Sequence, residues 1–255
     1  LAGRAAHGHA HKKNGTPTNP QAMTRTLAME IITDIPFTLN SAALLAQFRI
    51  AADSSDARDI NQLLELAQQQ GRPKAAYTVS YVRARNGDAI QIDDVVFSSR
   101  ALCRNLQNVE RVFPLLATCG NEIDEIFIAQ DDMLKNYWWD GIKAQLLEAA
   151  SNFVFDLVRQ RYRLGTTSAM WPGSGDAEVW PIEQQRELFT VLGDAAARIG
   201  MALTDSYLMV PNKSVSGILF PAEHDFRTCE LCHRSECPSR QAPFNEALWQ
   251  EMHTG

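Results

Sequence analysis

No hydrophobic run in the 255 residues approaches the roughly 18 apolar residues that a membrane-crossing helix requires. Cysteine is scarce. There are five, an odd number, and a chain of this length buries a large core without crosslinks, so a disulfide scaffold is not expected. A basic excess is also missing: 24 Lys and Arg face 30 Asp and Glu, for a net charge of -6. That balance argues against general nucleic-acid binding. The expectation is a protein without membrane or nucleic-acid partners, in a reducing, cytoplasmic compartment. What remains, 45% hydrophobic and 21% charged, is ordinary globular composition.

Three segments stand apart. Residues 1–22 are rich in Gly, Pro and small residues, with His7, His9 and His11 alternating. They read as a disordered or appended tail, with Met23 as the natural start. Residues 23–221 read as one mixed α/β domain. Residues 222–255 form a polar, cysteine-rich tail.

Within the domain, "TLAMEIITDIPFTL" reads as a strand and "NSAALLAQFRI" as a capped helix. Ile60, Leu63, Leu64 and Ala67 form a helical stripe that Gly71 and Pro73 end. Asn86-Gly87 lies between two alternating runs and predicts a hairpin. "RVFPLLATCG" predicts a buried strand, a helix is expected from Glu122 to Met133, and the longest helix ends at Gly165. The stretch from Thr166 to Pro181 reads as a loop. A helix follows to about Gly200, then two strands around Pro211-Asn212.

In the tail, Cys229-x2-Cys232-x4-Cys237 places three thiols within nine positions, followed by Pro238. The residues between them are polar, so these are not core cysteines. Thiolates at such gaps on a turning loop can converge on one metal centre. A [4Fe–4S] cluster is favoured on ligand type and the Cys-Pro ending, with zinc as the alternative. A fourth ligand is sought in Cys119 at a strand exit, with Cys103, His224 and His233 as other candidates.

A larger pattern carries a family resemblance. "WPIEQQRELF", "LTDSYLMVPNKSVSGI", "LLATCGNEIDE" and "WWDGIKAQLLEAA" occur in order. Together they resemble stand-alone relatives of the activation domain of cobalamin-dependent methionine synthase. The resemblance implies a C-shaped α/β (α+β) fold, a twisted antiparallel sheet with flanking helices. It also implies contact with a corrinoid protein or corrinoid-dependent methyltransferase, and S-adenosylmethionine as methyl donor during reductive reactivation of cobalt. The ligand positions it implies are Pro172, Gly173, Ser174 and Gly175, with Lys213 and Ser214. Where the family has Arg and Tyr beside the Pro-Gly, this chain has Ala169 and Ser174. The loss of the guanidinium removes a bidentate partner for the ligand's carboxylate and leaves S-adenosylmethionine binding doubtful.

Three functions compete on these residues. The first is an accessory protein that reductively reactivates or handles a corrinoid protein, with a cluster in its own tail. The second is an S-adenosylmethionine-binding component of a B12-dependent methyltransferase. The third is an interaction module with a structural zinc tail. No catalytic residue is assigned, and the reading leans to a redox partner. Trp171 and Trp180 are expected to be aromatic anchors for the corrinoid partner.

Overall fold

The computed structural model describes residues 29–254 except 177, 224, 225, 238 and 239. The 1–22 tail with its histidines, Met23, His224 and Pro238 therefore lie outside the described residues.

Strand β6 (Arg111–Thr118) is the centre of the sheet. Along one side it pairs antiparallel with β2 (Lys74–Tyr77) and then β3 (Ser80–Asn86), and along the other with β10 (Ser214–Pro221). The sheet extends through β1 (Glu30–Ile32) beside β2. On β3 follow β4 (Ala89–Ile92) and β5 (Val95–Ser98). On β10 lies β7 (Thr167–Met170). The Asn86-Gly87 hairpin forms as expected, with Asn86 opposite Ala89 and Gly87 at φ +60.

Side chains alternate across a strand, so β6 divides the core by residue parity. Val112 and Leu116 face a core with α3 (Arg100–Asn105), α5 (Gln185–Leu192) and α6 (Ala195–Arg198). Phe113, Leu115 and Ala117 face α4 (Met133–Tyr162). Beyond them α1 (Ser41–Phe48) and α2 (Ser55–Gln70) pack on the first half of α4. Side chains of Asn40, Ser54, Ser99 and Asp132 accept from backbone N–H groups at the starts of α1, α2, α3 and α4, the N-cap role these residue types favour.

The elements depart from the sequence reading in four places. The helix expected over 122–133 is a single 3-10 turn, Glu122–Glu125, because Asp132 caps a helix that begins at Met133. The helix after Pro181 is broken at Gly193 into α5 and α6. Residues 167–170 are strand β7, too short to show alternation, where a loop was expected. The first of the two strands expected around Pro211 is β9 (Met209–Val210), and it pairs with β8 (Ala202–Leu203) instead of β10.

The described part of the tail packs onto the body. A 3-10 turn at Thr228–Leu231 and helix α7 (Glu246–Thr254) insert Phe226, Leu231, Leu248 and Met252 into the core on the α3 side.

Candidate functional site

The loop that leaves β7 holds the resemblance-derived positions Pro172 to Gly175. Gly173 sits at φ +75 and donates to the Trp180 carbonyl at 2.8 Å, closing the loop on itself. The next three residues face the tail. Ser174 Oγ lies 3.1 Å from Thr228 Oγ1. Gly175 is at φ +84, and a Cβ there would come within 2.7 Å of the Thr228 carbonyl oxygen. Asp176 Oδ2 accepts from Trp249 Nε1 at 2.7 Å and lies 3.2 Å from His253 Nε2. The two α7 rings stack with centroids 4.1 Å apart. Only glycine allows this approach of backbone to backbone in the left-handed region.

Lys213 and Ser214 lie elsewhere. Lys213 Nζ is 2.8 Å from Asp140 Oδ2 on α4, and Asn212 Nδ2 donates to the other oxygen of that carboxylate at 3.3 Å. Ser214 is buried, its Oγ 2.9 Å from Thr118 Oγ1 and 2.7 Å from the Pro211 carbonyl. Trp171, at the start of the loop, lies over Gly217 of β10. Four extended residues, about 13 Å of strand, separate that point from Lys213. The structure thus puts the two halves of the expected ligand site at different positions along β10.

The tryptophan expectation is corrected for Trp180. It is 1% exposed and packs edge-on to Phe97, with ring centroids 6.4 Å apart, as part of the core. Trp171 is half-buried against Phe155 on the α4 side. Neither stands free as an aromatic anchor.

The three tail cysteines are free thiols of intermediate exposure. Their backbone is gathered by one residue. Arg240 Nη1 donates to the Cys229 carbonyl at 3.2 Å, its Nη2 to the Cys232 carbonyl at 2.8 Å, and its own N–H to the Cys237 carbonyl at 3.1 Å. Further bonds run to the carbonyls of Arg234 and Ala242. The Gln241 N–H points at Cys229 Sγ, 3.5 Å away. Among the described residues no three His, Cys, Asp or Glu side chains already converge in metal-holding geometry.

Cys119 is not brought to them. It continues the odd parity of β6, is fully buried, and packs with Leu44, Ile60 and Leu146 on the α4 side, whereas the tail lies on the other face. Burial pushes its thiol up from 9.0 to about 11; Lys143 opposes the shift and Asp124 adds to it. The expectation of Cys119 as fourth ligand is therefore corrected: it is a buried core thiol on the face of the sheet away from the tail. His233 is held between Phe244 and Trp249, with ring centroids 4.2 and 4.9 Å away. Cys103 is on the tail's side, on α3, where burial raises its thiol.

Sequence reasoning missed Asp176, Thr228, Arg240, Trp249 and His253. A signal was present in "NEALWQEMH": Leu248/Met252 and Trp249/His253 are i, i+4 pairs behind Asn245, whose side chain accepts from the Leu248 N–H.

An antiparallel sheet with helices on both faces and a Pro-Gly loop at the end of its short β7 strand defines a fold of the methionine synthase reactivation-domain type. A solved structure described as the MetH reactivation domain bound to AdoHcy superimposes with a TM-score of 0.55 over 80% of this chain and 81% of that one, at 16% identity. Residues 149–230 match the family model for the vitamin B12 dependent methionine synthase activation domain, and over that segment the chain is similar to that domain. The match ends at Glu230, so Cys232 and Cys237 lie beyond it. No curated protein sequence matches the chain. No helix among the described residues is long and apolar enough to cross a membrane.

Proposed function

We propose that the protein is an accessory factor of corrinoid-dependent methyl transfer that reductively reactivates a corrinoid protein through a thiolate-held centre in its own tail. The observation that carries this reading is the seating of the cysteine loop. Thr228, next to Cys229, touches Ser174 and Gly175 of the loop that corresponds to the family's ligand loop. The tail is therefore built onto that loop and does not trail from the domain. Cys229, Cys232 and Cys237 would hold the centre, preferably a [4Fe–4S] cluster, and Arg240 and α7 would keep it against residues 174–176. A cluster held there would pass one electron to cobalt(II) of the partner's corrinoid, giving cobalt(I), and would be refilled by a low-potential one-electron donor.

The experiment is iron, sulfide and zinc analysis of anaerobically prepared protein. Iron with matching sulfide, lost in single Ser variants of the three cysteines, supports the reading. One zinc per chain without iron supports a structural zinc tail instead. A second reading takes S-adenosylmethionine as a ligand of the same loop, favoured by the AdoHcy bound to the structural relative. Ala169 provides no carboxylate clamp, and the Ser174 hydroxyl is engaged by Thr228. Calorimetric titration with S-adenosylmethionine separates the two, and binding at micromolar concentrations would favour the second.

A further inference from the structure

His253 meets the ligand loop with both ring nitrogens engaged. Its Nδ1 lies 2.7 Å from the Trp249 carbonyl, one turn back on α7. A carbonyl only accepts, so Nδ1 carries a hydrogen. Nε2 is buried 3.2 Å from Asp176 Oδ2 and 4.0 Å from Glu178 Oε2, close but not aligned as a hydrogen bond. A neutral ring with its hydrogen on Nδ1 would turn the Nε2 lone pair toward these carboxylates, a repulsive approach. An imidazolium presents an N–H and a positive charge instead. Two further features favour the cation. The ring stacks on the Trp249 indole at 4.1 Å, a face that attracts cations. It also lies in the last turn of α7, at the negative end of the helix. Arg100 and Asp88 share an open cavity of about 460 Å³ with His253, but they pair with each other at 2.8 Å, and Arg100 also donates to the Met252 carbonyl. Arg104 and Glu251 on the same two helices pair likewise. The charge left facing the ring is therefore negative, and the cavity gives it exchange of protons with solvent.

We infer that His253 is a pH-sensitive latch. Its imidazolium holds α7 against the ligand loop at Asp176, and loss of its proton loosens the tail. Histidine is the side chain that ordinarily changes charge between about pH 5 and 8. The docked state binds one proton more than a released tail whose ring is neutral, so docking is firmest at low pH and weakens as pH rises through the histidine range. The latch requires no metal in the tail and stands apart from the cysteine reading. It controls access to Ser174 and Gly175, against which Thr228 is seated when the tail is docked.

The test is hydrogen exchange by mass spectrometry on the full chain at about pH 5.5 and about pH 8, either side of the histidine range, with rates corrected for the intrinsic pH dependence of exchange. The opening constant of peptides covering 226–254 is expected to rise about tenfold between the two, with β6 and β10 unchanged. His253→Phe keeps a ring on Trp249 and has no proton to lose, so its tail should open equally at both pH values. Asp176→Asn can still accept from Trp249 Nε1 and can donate to a neutral imidazole, and it should also lose the response. His233→Phe removes the other histidine on the indole and should keep the response. Where His253→Phe releases the tail altogether, Asp176→Asn decides: a docked tail without the response supports the latch. A wild-type tail that opens equally at both pH values overturns it, as does a full response in His253→Phe or in Asp176→Asn. A response lost in His233→Phe overturns the assignment to His253.

Discussion

Replacing Gly175 by Ala perturbs the contact between ligand loop and tail at one atom. The residue sits at φ +84, where an L side chain costs about 1–2 kcal/mol. Its new methyl would stand 2.7 Å from the Thr228 oxygen, closer than real Cβ atoms come, and the obstacle is backbone that cannot swing aside. Relief requires Thr228 to retreat, which strains the Ser174–Thr228 hydrogen bond and the neighbouring Trp249–Asp176 bond. A hydrogen bond to a charged group contributes about 1.5–3 kcal/mol. The sum places the weakening of tail docking at about 2.5–5 kcal/mol, or an opening equilibrium raised about 60- to 4,000-fold. Hydrogen exchange by mass spectrometry reads this directly. Peptides covering 226–254 should exchange faster, while β6 and β10 stay protected. Gly87→Ala is the control, at φ +60 with nothing within 4 Å of its added Cβ. It has the backbone strain without the clash and should leave the tail unchanged. Unaltered tail exchange in Gly175→Ala would refute the idea that this loop is the tail's seat.

Trp180→Ala empties a fully buried site beside Phe97 and should cost about 3–5 kcal/mol, lowering the melting temperature by about 6–20 °C; a melt within a degree or two of the wild type would show that the indole is not core. Cys119 also gives the protein a pH dependence. Its folded thiol titrates near 11 and its unfolded thiol near 9.0, so above pH 9 the unfolded state binds fewer protons and stability falls. This contribution, about 2–3 kcal/mol, is complete below pH 9 and gone as pH passes 11. Denaturant midpoints measured from pH 8 to 11 should therefore decline more steeply for the wild type than for Cys119→Ala. Cys119→Ser should keep the full metal content of the tail, whereas Ser at 229, 232 or 237 should remove most of it; metal loss in Cys119→Ser would return that thiol to the ligand set.

Much of the body was legible because its signals are local. The Asn86-Gly87 turn, the stripe Ile60–Leu63–Leu64–Ala67 and the run "RVFPLLATCG" each declare their element within a short window, and each is found. Strand β7 was hidden, since "TSAM" has no periodicity and becomes a strand only by pairing with Ile218–Pro221. Site legibility split in the same way. Three cysteines at short spacing advertise shared chemistry, but which face of the sheet Cys119 occupies depends on parity counted along β6. The grip of Arg240 on three cysteine carbonyls, and of Asp176 on Trp249, joins residues by backbone oxygens or across 73 positions. Side-chain pattern in one sequence carries no trace of either. Trp180 was misread because an aromatic at a loop end looks the same in sequence whether it points outward or inward.

The central claim is electron delivery from the tail to cobalt. The direct measurement is anaerobic mixing of the metal-loaded, chemically reduced chain, freed of excess reductant, with cob(II)alamin bound to a corrinoid-carrying domain, following the cobalt absorbance. The account predicts conversion of cobalt(II) to cobalt(I) in step with the reduced centre, and none with the Cys229→Ser/Cys232→Ser/Cys237→Ser chain. Equal conversion by both chains, or none by the loaded wild type, would contradict it.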